Sequence, residues 1–258
     1  MILIAKLISL DVVGIYASYQ LIIQIGVLLI ATIINVLKPK IGKSIVIKDK
    51  QVIFVQFKSL NIIFMVGSLF FVYNFYFLIN IFINLWLENI RTFELKTVLF
   101  LSINVFILMF RHNLDMFKEN YGFFDDVQVP IFEAVINLVF SIILGIKYGL
   151  DGIIMGTIIS NVLVIMIYKP ILVFKRCFDK DVREYVKIYG NYLILLVISL
   201  VLLNIATKPF IRTDINTWID WIIYATTISV ITGVVLFIVF LLNKEFRNII
   251  KIYVLKRK

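Results

Sequence analysis

One cysteine and one histidine occur in the 258 residues. Cys177 on its own forms no disulfide within the chain, and His112 on its own builds no multi-histidine metal site, so neither a metal nor a cofactor is expected. Charge is scarce as well. Charged residues make up 16%, against roughly 25% in soluble domains, which excludes an ordinary water-soluble globular domain. The sequence has no Gly-rich phosphate loop, no HExxH and no GxSxG. Asp125 and Asp126 are adjacent, but no nucleophile or base accompanies them. The expectation is a protein that is not an enzyme.

What is present is apolar length. Hydrophobic residues account for 62%, and uncharged runs cover 12–37, 59–87, 188–207 and 221–243. Each reaches the roughly 20 residues a helix needs to cross about 30 Å of hydrocarbon. Three further stretches are weaker. Residues 97–110 are uncharged only until Arg111, 127–146 contain Glu133, and 151–169 hold 17 residues between Asp151 and Lys169.

Basic residues decide how many of these cross. Lysine and arginine accumulate in the cytoplasmic connections of membrane proteins. With seven spans at about 13–36, 60–86, 97–114, 129–146, 150–168, 188–206 and 219–242, the connections 38–59, 111–128, 169–187 and 243–258 share one side. They carry 20 Lys plus Arg, against 6 on the other side. Omitting one middle helix would put the basic 38–59 connection opposite the later ones. The expected fold is therefore an all-α integral membrane protein of about seven transmembrane helices, with a cytoplasmic C-terminus. The net charge of +10 is explained by this bias and by attraction to anionic lipid, with no nucleic-acid partner.

The beginning, MILIAKLISLDVVG, shows no secretory signal pattern. It reads as the tail of an earlier helix, a tight Asp-Val-Val-Gly connection, and a chain whose first part is missing. KDKQVIFVQFKS (48–59) and PILVFKRCFDKDVREYVKIYG (170–190) mix bases with aromatics. They are expected to lie in the membrane interface.

Polar residues recur at helical spacing inside the spans. Glu133, Asn137, Ser141 and Gly145 fall every four residues on one helix face. After the turn KYGLDG, the stretch YGLDGIIMGTIISNVLVIMIYKP places Gly152, Gly156 and Ser160 likewise and ends at Lys169 and Pro170. Small residues four apart let helix backbones approach, so the two stripes read as a packed hairpin. A part for Asn137 in a transport path is the other reading. Glu133 follows Pro130 closely and suits the positive N-terminus of its helix. Tyr16, Gln20 and Gln24 recur at intervals of four in the first full span, with Thr32 and Asn35 beyond. Glutamine both donates and accepts hydrogen bonds, as a sugar hydroxyl requires, which makes Gln20 and Gln24 candidate cavity-lining residues. Arg111 either snorkels to the headgroups or offers its fork to a diphosphate.

Four stretches carry a family resemblance: LISLDVVGIYASYQLI (7–22), NLDMFKENYGFFDDVQVPIFEAVINLVFSIIL (113–144), KYGLDGIIMGTIISNVL (147–163) and YKPILVFKRCF (168–178). In their order and spacing the chain resembles the C-terminal part of bacterial polysaccharide transporters. These are the Wzx-type oligosaccharide flippases of the multidrug/oligosaccharidyl-lipid/polysaccharide superfamily. The resemblance implies one helical lobe of a two-lobed bundle, with an N-terminal lobe absent from this chain. It implies alternating access in a bacterial cytoplasmic membrane, moving an undecaprenyl-diphosphate-linked oligosaccharide between leaflets for capsule, exopolysaccharide or O-antigen assembly. The partners implied are the lipid-linked oligosaccharide and the bilayer. A drug or ion-coupled exporter of the same superfamily, or a membrane polysaccharide polymerase or ligase, are the competing readings.

Overall fold

The computed structural model describes residues 2–88, 91–124, 128–212 and 214–251. All regular structure in them is helical: α1 (Ile2–Leu7), α2 (Leu10–Ile47), α3 (Lys50–Trp86), α4 (Leu95–Asn120), α5 (Gln128–Asn161), α6 (Lys169–Phe178), α7 (Val182–Thr207), α8 (Trp218–Phe240) and α9 (Lys244–Ile250). A π-helical segment, Val162–Tyr168, joins α5 to α6. Six helical stretches among the described residues are long and apolar enough to cross a membrane, with α5, the π segment and α6 forming one of them. The protein is multi-pass by this measure.

Helix α3 is the spine, packing on α2, α4, α6, α8 and α9. Its partner α4 is the most buried of the six candidate spans. This accounts for its short apolar run: a helix surrounded by protein does not need a continuous lipid-facing surface. Hence Ser102 and Asn113 sit inside α4, both buried.

Ion pairs identify the two ends of the bundle. Lys38 meets Glu119 at 2.5 Å, Lys50 meets Asp179 at 2.5 Å and Lys58 meets Glu245 at 3.0 Å. The connections expected to share a side are thus gathered at one end, called here the basic end. At the other end Asp151 joins Lys96 at 3.1 Å and Thr97 at 2.6 Å.

Three sequence expectations are corrected or refined. Residues 50–59, expected to lead into the following span, are continuous with it as the first turns of α3. Phe54 and Phe57 there are buried against Phe174 and Phe178 of α6, with ring centroids 4.9 to 5.7 Å apart. Aromatic bulk between bases therefore packs on protein here instead of lipid. The stretch 170–190 is divided into α6 and the start of α7, broken at Asp179, which has a φ of 53°. The Asp-Val-Val-Gly connection also lies inside a helix: Ser9 caps α2, its Oγ accepting from the Val12 N–H at 3.3 Å, and Asp11 stands in the first turn, where a carboxylate favours the helix dipole. The helices outrun the spans as well. At 38 residues, α2 is about 57 Å long, well beyond the hydrocarbon, and its basic turns project from the basic end.

Candidate functional site

The glycine and serine stripes form the seam of a hairpin. Asn137 Nδ2 donates to Ser160 Oγ at 3.3 Å, although 23 residues in a straight helix would separate them by about 34 Å. The chain doubles back at Gly149, whose φ of 59° and ψ of −135° interrupt α5 in a region glycine enters without steric cost. Contact across the seam is at backbone distance. A Cβ on Gly152 would lie 1.9 Å from the Leu144 carbonyl oxygen, and one on Gly156 would lie 2.4 Å from the Ser141 nitrogen. Gly145 faces Ile153. Ser141 Oγ donates to the Ile153 carbonyl at 3.1 Å and sits 3.4 Å from Asn137 Oδ1. Asn137, a candidate for the substrate path, is therefore engaged within this seam.

Below the hairpin, at the basic end, lies a charge network. Asp115 accepts from Arg111 Nε at 3.0 Å and from Lys169 Nζ at 3.0 Å, and Arg111 Nη1 lies 3.7 Å from Glu133. These side chains are 8 to 25% exposed. Two cations and two anions cancel, and the network ties α4 to the first arm of α5 and to the start of α6. Pro170, buried in the first turn of α6, keeps its φ suited to a helix start beside Lys169. The Arg111 fork already holds two carboxylates, so a diphosphate would have to displace one of them. Glu133 serves as an arginine partner across helices as well as standing near a helix N-terminus.

The polar stripe of α2 behaves differently. Tyr19 points inward: its hydroxyl donates to Asn80 Oδ1 at 2.5 Å and accepts from the Phe93 N–H at 3.0 Å, and its ring stacks on Phe93. Gln20 is half-buried beside the Tyr16 hydroxyl. Gln24, Thr32 and Asn35 are exposed on the outer face, in line with Leu21 and Leu28. The outer face of the first arm of α5 gives the comparison. Ile131, Phe132, Val135, Leu138, Val139, Ile142 and Ile146 are all exposed there, without a polar interruption. An amide turned to hydrocarbon costs free energy that a leucine does not. On α2 the exposed amides alternate with exposed Ile25, Leu29, Ile33 and Val36, so its outer face is mixed where that of α5 is wholly apolar.

Several polar pairs escaped the sequence reading. Asn113 Nδ2 donates to Asn61 Oδ1 at 2.6 Å, Asn161 Nδ2 to Asn104 Oδ1 at 2.6 Å, and Ser229 Oγ to Asn74 Oδ1 at 2.9 Å. Each joins two helices. Asn61, Asn74, Asn104 and Asn161 stand inside apolar runs and Asn113 just beyond Arg111, and nothing local says which of them meet. Among the described residues no three His, Cys, Asp or Glu side chains gather as a metal site. Asp125 and Asp126 lie outside the described residues. A cavity of about 740 Å³, mostly apolar, lies between α3, α4 and α7, away from Gln20, Gln24, Arg111 and Asn137. Comparison with family models, curated proteins and solved structures finds no match to this chain.

Proposed function

We propose that this chain is one lobe of a flippase that moves an undecaprenyl-diphosphate-linked oligosaccharide across a bacterial cytoplasmic membrane. The hairpin of α5 crosses twice in this reading, giving seven crossings with the basic end in the cytoplasm. Three features support it: the family resemblance, the gathering of the basic connections at one end, and above all the exposed amides of α2. Gln24 and Asn35 are unfavourable against lipid and favourable against a hydrated glycan or a second helical bundle. That face is the wall where a second lobe, on the same polypeptide or another, would enclose a polar path. Rocking of two lobes about such a path is a common transporter solution. The chain acts as a carrier in this reading, without catalytic chemistry or a cofactor.

The test is complementation of a bacterial strain lacking its own flippase, with the gene that carries this chain. Accumulated lipid-linked glycan on the inner leaflet is measured. Clearance of the cognate glycan is expected, and failure of a correctly inserted, abundant protein to clear it overturns the proposal.

A further inference from the structure

Helices α4 and α7 border a common cleft. At the basic end they touch, with the rings of Phe110 and Tyr189 at 5.9 Å. Toward the opposite end they part, and a cleft of about 740 Å³ opens, floored by α3. Leu99, Ile103 and Phe106 line one wall, and Leu196 and Leu200 the other. Water is held poorly in such a space, because it finds few hydrogen-bond partners there.

Besides Tyr73, Tyr76, Asn80, Ser102 and Tyr224, the polar lining includes Asn204 and Arg212, which stand exposed at the mouth. Neither side chain has a hydrogen bond or ion pair with any described residue. Tyr224 of α8 lines the cleft beside them. A guanidinium matches the geometry of a phosphate, and the Asn204 amide can donate beside it. The depth is informative too. From Leu95 to Phe106 along α4 is about 16 Å of helix, roughly half of a 30 Å hydrocarbon core. The cleft is as deep as one leaflet.

We propose that this cleft holds one resident glycerophospholipid of the leaflet at that end. Its phosphate sits on Arg212 and Asn204, and one acyl chain runs between α4 and α7 to the bilayer midplane. This requires only that the bundle is embedded in a membrane, and it stands or falls separately from flippase activity. A long polyprenyl tail would overrun a cleft one leaflet deep.

The test is native mass spectrometry of the full chain released from detergent, with phosphatidylglycerol added. One lipid is expected to survive activation that strips the others. R212Q should weaken retention on the order of tenfold, and L200W, which fills the cleft, should abolish it, while K147Q, a cation at the same end outside the cleft, changes nothing. L99W repeats the obstruction from the opposite wall, and circular dichroism with monodisperse elution verifies that each variant folds. Equal retention by wild type, R212Q and both tryptophan variants overturns the proposal. So does displacement of phosphatidylglycerol by equimolar undecaprenyl diphosphate, which would make the cleft a cargo site.

Discussion

The ammonium of Lys169 lies 3.0 Å from the Asp115 carboxylate, with only 8% of the lysine side chain exposed. The two residues are 54 apart in the chain, and their pairing fastens the return arm of the hairpin to the central helix α4. Because Asp115 also receives Arg111, one carboxylate bridges two cations that would otherwise face each other inside the bundle, and Glu133 supplies the second negative charge.

Asp115→Asn keeps the shape and removes that charge. Breaking a buried pair on one side leaves the partner uncompensated, and a loss of about 3 kcal/mol is expected. Unfolding in mild detergent, followed by tryptophan fluorescence, measures it. The double variant Asp115→Asn/Lys169→Met should recover much of the loss, since no unpaired lysine is then buried.

Gly156→Val drives a side chain into the Ser141 backbone, where even a Cβ would lie at 2.4 Å. The arms must separate, at a cost of about 3 kcal/mol. Gly190 in α7 has nothing within 4 Å of an added Cβ. Gly190→Ala should instead stabilise by up to about 1 kcal/mol, through helix propensity. Thermal unfolding of the two variants side by side separates the seam from glycine content in general.

Cysteine labelling reads the path of the chain. Cys177 is fully buried, so the unmodified protein should react little with a membrane-impermeant maleimide. On a Cys177→Ala background, Lys43→Cys and Lys187→Cys should label from one side of the membrane. Lys147→Cys and Lys208→Cys should label only from the other. Labelling of positions 43 and 187 from opposite sides would mean that the hairpin of α5 crosses once.

Two candidate site residues should separate in their effects. Gln24 is exposed on α2, so Gln24→Leu should leave stability within about 0.5 kcal/mol while reducing glycan export. Arg111→Ala strips Asp115 and Glu133 of a partner, and a loss of roughly 1–2 kcal/mol with lowered abundance is expected. Abundance by immunoblot and export by surface glycan staining, compared in one strain, distinguish the two. A fall in abundance for Gln24→Leu equal to its fall in export would place that residue in folding.

Much of the architecture is local in origin and was readable along the chain. Hydrocarbon length demands long uncharged runs, and 12–37, 59–87, 188–207 and 221–243 answer that demand inside α2, α3, α7 and α8. The hairpin was readable because glycines four apart have few uses other than close backbone approach, and its turn was marked by Gly149. Helix ends were less so. Charged turns continue a helix into water as readily as they end it, and α2 accordingly runs to Ile47, past the basic residues that suggested a stop.

What tertiary structure decided is which polar groups meet. The sequence shows Arg111, Asp115, Glu133 and Lys169 as separate charges near span ends, and only folding brings them within ion-pair distance. Asn137 and Gln24 look alike as amides within apolar runs, yet one is bound into the hairpin seam and the other is left on an open face. The physical reason is that periodicity specifies a face of a helix, whereas the identity of what covers that face depends on how neighbouring helices pack. The cleft between α4 and α7 has no sequence signature for the same reason, being a space bounded by residues 95–106 and 196–212 that no local pattern connects.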